Sequence, residues 1–311
     1  MFNSLKKILK KNYFVYFISL FVYQKIFLSF FTKIRNLIIF FINYKKNKIF
    51  ISNPKETSKI TLFSEDFFYP KYSIAYGDLL RNIKEKKILN KEYDLIVKDF
   101  FNQKIECIID VGASIGYQSL FYNNFFGNNT KIYCFEPHPI SFYFLEKNLS
   151  MYENIELFNF ALGNEDKKDF MSIPNHEIQK LSDLGVMSIG RHSSHFKTEI
   201  LIKKFDLLNI FLQHFKSIYI KIDVEGYEEN VLRGMYNFLN SNVNIYLKIE
   251  VSKHFNNIKK ISSTIEILEK CNYDFYIIKN QKFVKLNKSE IIMFLIYRNS
   301  DVFCKKRPSR I

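Results

Sequence analysis

Short apolar runs at 105–109, 131–135, 155–160, 218–222 and 244–249, each with no more than two polar residues, punctuate the middle of the chain. Runs of this length without polar alternation predict strands buried on both faces of a parallel sheet. Between them lie segments of helical character at 118–126, from Pro139 to about 150, and at about 227–239. Strands alternating with helices in this way predict an α/β domain with helices on both faces of a mostly parallel sheet. A further helical pattern over about 76–101 places Leu79, Leu80, Ile83, Ile88, Leu89, Tyr93, Ile96, Val97 and Phe100 at apolar positions. It follows the turn signals Asn53-Pro54 and Tyr69-Pro70.

Residues 1–50 follow another pattern. Residues 13–23 are almost wholly apolar, and beyond them Lys25, Ser29, Thr32, Lys33 and Asn36 recur at helical spacing. Ile26, Phe27, Phe30, Ile34, Leu37, Ile38 and Phe41 fall on the opposite face. Three expectations stay open: an interfacial helix on anionic lipid, a helical extension packed on the main domain, or a span over 13–31. Lys25 within the apolar stretch opposes the span. No small-residue cleavage site follows, so a removed signal peptide is not expected.

Charge sharpens this division. The 311 residues carry a net +15. Residues 1–60 hold twelve Lys/Arg against Glu56 alone, a net +11, and 301–311 hold a net +3. The 240 residues between them are left at +1, which disfavours a basic nucleic-acid-binding face, so no nucleic-acid partner is expected. The hydrophobic share of 47 % and charged share of 25 % exclude wholesale disorder. Cys107, Cys134, Cys271 and Cys304 form no CxxC pair and read as buried free thiols in a reducing compartment. The expected organisation is a helical extension over 1–58, a helical cap or linker over 59–100, a main domain over 101–300 and a basic tail over 301–311.

The chemistry gathers where the strands end. The first run leads into Asp110, Gly112, Ala113, Gly116 and Tyr117: strand, glycine turn, helix. Glycines there let the backbone approach a ligand at the strand's carboxyl end. The spacing is G-x-x-x-G beside an acid, which suits a cationic donor without phosphates, such as S-adenosylmethionine, better than a pyrophosphate. Glu136 and Pro137 close the second strand, with Glu136 twenty residues beyond Gly116, where an acid can accept ribose hydroxyls. Ala161 and Leu162 end the third strand at the height of an adenine ring. The run 218–222 ends in a cluster of Lys221, Asp223, Glu225 and Glu228, and His254 follows the next strand. A hydroxyl acceptor must lose a proton, so Glu225 or Asp223 is expected to act as base, with His254 next and Lys221 beside them. An alternative has Asp223, Glu225 and Glu250 holding a divalent cation; no metal is adopted in this reading. His138 reads as a turn residue, and His192 and His195 as solvated loop residues.

The blocks IIDVGASIGY, IYCFEPHP, NFALGN, IYIKIDVEGYEENVLRGM and IYLKIEV resemble the FkbM family of methyltransferases. The resemblance covers about 100–300. It implies a Rossmann-like class I methyltransferase fold, a seven-stranded sheet and S-adenosylmethionine as methyl donor. It also implies O-methylation of a hydroxyl, frequently on a sugar or polyketide-like acceptor. Combined with the basic aromatic N-terminus, this leads us to expect a sugar of a surface glycan or glycolipid as acceptor. The enzyme would be cytoplasmic, with 1–45 on the anionic inner face of the membrane. The rival expectations are a non-catalytic membrane-associated module and an NAD-dependent oxidoreductase.

Overall fold

The computed structural model describes residues 55–71, 76, 80, 95–101, 103–172, 187–190, 197–208, 212–251, 256–298 and 300–307. The helical extension expected over 1–58 lies almost wholly outside these residues, as do His192, His195 and His254.

Alternate side chains of the apolar runs point to opposite faces of one sheet, and each face builds its own core. The central strand β3 (Cys107–Val111) sends Cys107, Ile109 and Val111 into one core and Ile108 into the other. Beside it lie β4 (Lys131–Phe135) and β5 (Ile155–Phe158) on one flank, β10 (Ser217–Ile222) and β11 (Asn244–Val251) on the other. All four pairings among these five strands are parallel. Helices α1 (Tyr117–Phe126) and α2 (Pro139–Leu149) cover one face through Leu120, Phe121, Phe144 and Leu145. On the other face, α3 (Glu228–Gly234) contributes Val231 and Leu232, and after the short α4 (Tyr236–Leu239), α5 (Ile258–Lys270) contributes Ile261, Ile265 and Leu268.

The sheet departs from the expected seven mostly parallel strands. It has eight, in the order β13-β12-β14-β11-β10-β3-β4-β5. The three beyond β11 are β12 (Tyr273–Lys279), β13 (Lys282–Leu286) and β14 (Ser300–Lys306), joined by antiparallel pairings, with α6 (Lys288–Tyr297) between β13 and β14. The sheet is therefore large and mixed.

Most of the expected basic tail is strand β14. It lies between β11 and β12 and buries Val302, Phe303 and Cys304. The charges that make it look like a tail are held in place. The Lys306 ammonium donates to the Ser241 carbonyl, Arg307 Nε lies 2.8 Å from Asp274 Oδ1, and the Lys305 ammonium sits 5.4 Å from the Tyr276 ring centre. A second correction falls on the linker. The segment expected as a helical cap or linker over 59–100 begins within a hairpin of β1 (Thr57–Leu62) and β2 (Glu65–Pro70). Its turn residues Phe63 and Ser64 both take positive φ, as a type I′ two-residue turn requires. The hairpin packs on α2, where the Asn148 carboxamide exchanges hydrogen bonds with the Phe68 backbone. Of the 76–101 pattern, Ile96–Phe100 forms one π-helical turn that buries Ile96 and Phe100.

A second sheet, β6 (Ala161–Gly163), β9 (Lys197–Lys204), β7 (Lys167–Ser172) and β8 (Ser188–Ile189), stands beside the carboxyl ends of the parallel strands. The four cysteines are buried and unpaired, as expected.

Candidate active site

The glycine turn after β3 is shaped by contact between two loops. The Gly112 and Ala113 N–H groups donate to the Phe135 carbonyl at 2.9 and 3.1 Å. Gly112 has φ of +81°, and a Cβ on it would lie 1.9 Å from the Asp223 carbonyl oxygen. Glycine is therefore demanded twice, by conformation and by space. Gly116 has another role. It caps α1 with φ of +90°, and a Cβ there would press on Leu145 and Leu149 at 2.9 Å, so its smallness serves helix packing.

Glu136, at the end of β4, is 6 % exposed. Its Oε2 accepts from the Ser114 N–H at 2.9 Å and its Oε1 from the His138 N–H at 2.8 Å. Burial raises its carboxyl to about 7, against the pull of those two N–H groups. The carboxylate is thus aimed and fixed by backbone donors of both adjoining loops.

Lys221 is the electrostatic hinge of the site. It projects from β10, register partner of Asp110 on β3. Its ammonium donates to the Gly112 carbonyl at 2.9 Å and lies 3.2 Å from Asp110 Oδ1 and 3.4 Å from Asp223 Oδ2. Burial pulls its pKa down, but the two carboxylates outweigh burial and hold it above the ordinary lysine value. One hydrogen bond and two ion pairs hold the ammonium in its charged form, so Lys221 organises the two loops and has no lone pair to offer as a base. Asp110 is fully buried; its other oxygen accepts from the Ser119 hydroxyl at 2.5 Å.

The loop after β10 carries local strain. Glu225 takes φ of +51° and Gly226 of +96°. A glutamate in the left-handed region is uncommon and persists where surrounding structure over-determines it. That support comes from Glu228, which is 1 % exposed; its Oε1 accepts from the Gly226 N–H at 2.8 Å and its Oε2 from the Asn256 amide at 3.0 Å.

These parts enclose a cleft of about 380 Å³ at the carboxyl ends of β3, β4 and β10. Ten of the residues predicted from sequence line it: Gly112, Ala113, Tyr117, Glu136, Pro137, Ala161, Leu162, Lys221, Asp223 and Glu225. Asp110 and Gly116 stand behind the wall and shape it. Tyr76, Ser114, Met171, Met187 and Ile189 also line the wall, with no local pattern that marks them for it. Tyr76 is 4 % exposed, and its hydroxyl lies 2.6 Å from that of Ser114. The others arrive from the second sheet, which no local pattern pairs with the first.

His138 is a buried helix cap rather than a simple turn residue. It is 3 % exposed, and its Nδ1 accepts from the Ser141 N–H at the start of α2. The alternative metal site does not assemble. Asp223, Glu225 and Glu250 form no cation-holding group, and no group of three His, Cys, Asp or Glu is so placed among the described residues. Glu250 is raised to about 7, first by the charge of Asp223 and then by burial. Among the described residues no helix is long and apolar enough to cross a membrane.

A family model, described as the methyltransferase FkbM domain, matches residues 110–275, just over half of the chain. The chain belongs to the FkbM methyltransferase family. No curated protein gives a significant match. Among solved structures, the chain is similar to the FkbM methyltransferase of Methylobacillus flagellatus KT, at 13 % identity and a TM-score of 0.40, covering 74 % of this chain and 60 % of that one. It is also similar to an O-methyltransferase of Thermotoga maritima, at 10 % identity and a TM-score of 0.38, covering 82 % and 79 % respectively. A methyltransferase of Aquifex aeolicus matches at 11 % identity with a TM-score of 0.38, covering 74 % and 98 %. In this member of the family the match begins at Asp110 and takes in both loops joined by Lys221, while Tyr76 and β14 lie outside it.

Proposed function

We propose that this methyltransferase uses S-adenosylmethionine to methylate a hydroxyl on a sugar of a surface glycan or glycolipid. The observation that carries the donor assignment is the cleft. One wall is the glycine turn and the fixed Glu136 carboxylate; the facing wall holds Ala161, Leu162, Met171, Met187 and Ile189. A carboxylate held by two backbone N–H groups keeps lone pairs for a pair of ribose hydroxyls, and the apolar wall suits an adenine ring. The backbone room at Gly112, which a Cβ would fill, suits close approach of a ligand.

S-adenosylmethionine bound there would supply an activated methyl carbon on a sulfonium, open to in-line attack by the acceptor oxygen with the thioether as leaving group. The chain's own residues then have two tasks. The first is positioning: Lys221 locks the glycine turn to the Asp223 loop, so both ends of the cleft keep one spacing. The second is proton removal: Asp223 and Glu225 stand on the cleft wall, and one of them takes the hydroxyl proton as the oxygen–carbon bond forms. The demethylated donor and the methyl ether are the products.

The sugar class rests on the family resemblance, and the membrane assignment on the basic aromatic segment 1–45. Titration of the full chain with S-adenosylmethionine and its demethylated product is the first test, with saturable binding expected, and its loss in Glu136→Ala. Transfer of labelled methyl to lipid-linked sugars tests the acceptor. A folded full-length protein that binds neither compound overturns the reading. Sedimentation with anionic liposomes tests the membrane contact, which is refuted if a chain lacking 1–45 sediments equally well.

A further inference from the structure

We propose that His138 is a positioning residue that sets the width of the donor cleft by tying its two walls together. The proposal rests on reading that cleft as the donor site.

His138 touches both walls at once. Its backbone N–H donates to Glu136 Oε1 at 2.8 Å, on the polar wall. Its imidazole Nε2 lies 3.4 Å from the Thr198 hydroxyl, on β9 of the second sheet. Thr198 is the register partner of Met171, which lines the cleft and pairs in turn with Ile189. On its other side β9 pairs with β6 through Ala161 and Leu162, again cleft residues. A shift of β9 therefore moves the whole apolar wall relative to Glu136.

The ring's chemistry fits a strut. Nδ1 accepts from the Ser141 N–H, so the ring proton sits on Nε2, which donates to the Thr198 oxygen. Burial pulls the imidazole down to about 4, so it stays neutral in the working range. A residue serving only as helix cap would need the Nδ1 acceptor alone; the reach from Nε2 to the second sheet is what a cap does not require.

Two substitutions separate the roles. His138→Asn keeps a cap acceptor for Ser141 but is too short to reach Thr198, and Thr198→Val removes the hydroxyl at nearly constant volume. Each is expected to weaken binding of the demethylated donor about three- to tenfold, the range one net hydrogen bond supplies. The loss should appear in the donor's KM rather than in kcat. The two together are expected to lose no more than either alone, since they cut the same link. His138→Gln, whose amide can still reach Thr198, should retain the affinity that His138→Asn loses. Wild-type affinity in Thr198→Val, or additive losses in the double variant, overturns the proposal. A wild type that fails to bind the donor overturns the donor-site reading itself; wild-type binding with an unaffected Thr198→Val overturns only the strut.

Discussion

Lys221→Met tests the centre of the site. The substitution keeps most of the side-chain volume and removes the charge. What it leaves behind decides the outcome: Asp110 is fully buried, with Oδ1 3.2 Å from the lost ammonium. At that distance and an effective dielectric of about 20, the pair's attraction is about 5 kcal/mol. Asp223 is partly open to water at 28 % side-chain exposure, so most of its loss is made up by solvent. Removing one partner of a buried pair costs about 3–5 kcal/mol, a large share of the roughly 5–15 kcal/mol that keeps a domain folded. The expected fall in Tm is on the order of 10 °C. Urea denaturation followed by circular dichroism gives the free energy directly. Adding Asp110→Asn should recover most of the loss, because no charge then stays buried without a partner. A Lys221→Met variant losing less than about 1 kcal/mol, or a double variant as unstable as the sum of the singles, would refute the assignment of Lys221 as the counter-charge of Asp110.

Gly112→Ala sets a Cβ 1.9 Å from the Asp223 carbonyl at a φ of +81°, so at least a tenfold loss of donor binding is expected by titration calorimetry; unchanged affinity would show that the two loops do not meet. Glu136 is raised to about 7 by burial, whereas the unfolded chain releases that proton near 4.5. Its contribution to stability is therefore complete below pH 4.5 and fades as the pH rises to about 7, while donor affinity, which needs the ionised form, strengthens over the same interval. Melting curves at a series of pH values should show a shallower decline in Glu136→Gln, and a flatter one with Glu250→Gln added, since Glu250 is raised into the same window; identical slopes in all three would refute this. Tyr76→Phe removes the hydroxyl 2.6 Å from Ser114 and should weaken donor binding by a few-fold, with the fold intact by circular dichroism; an unchanged dissociation constant counts against Tyr76 as part of the wall. A chain ending at 299 lacks β14 and should not fold, because β11 and β12 lose the strand that joins them; a soluble, cooperatively melting product would contradict that topology.

The parallel half of the sheet is legible in the sequence because its strands are mostly buried on both faces, which leaves short apolar runs holding no more than two polar residues each. β4 matches its expected bounds, and β3, β5, β10 and β11 fall within two residues of theirs. The glycine turn and Glu136 are legible for a related reason: tight turns and strand-end acids leave local signatures. β14 is not, because only Val302, Phe303 and Cys304 are buried while Lys305, Lys306 and Arg307 are held by partners from distant segments. The 57–70 hairpin leaves no local signature, because its turn is Phe63-Ser64, without the glycine or asparagine that usually marks positive φ.

By itself, then, the chain's order of residues determined the βα alternation, the chemistry at the strand ends and membership of the family. These depend on periodicity and on groups within a few residues of one another. Only the tertiary structure decided that Lys221 is consumed in holding Asp110, Asp223 and Gly112, and that Asp110 and Gly116 stand behind the cleft wall. It alone brought Tyr76 and the second sheet to complete that wall. Such roles are set by what lies across a strand or a loop some hundred residues away, and a charge buried at that distance acquires its partner only when the sheet is assembled.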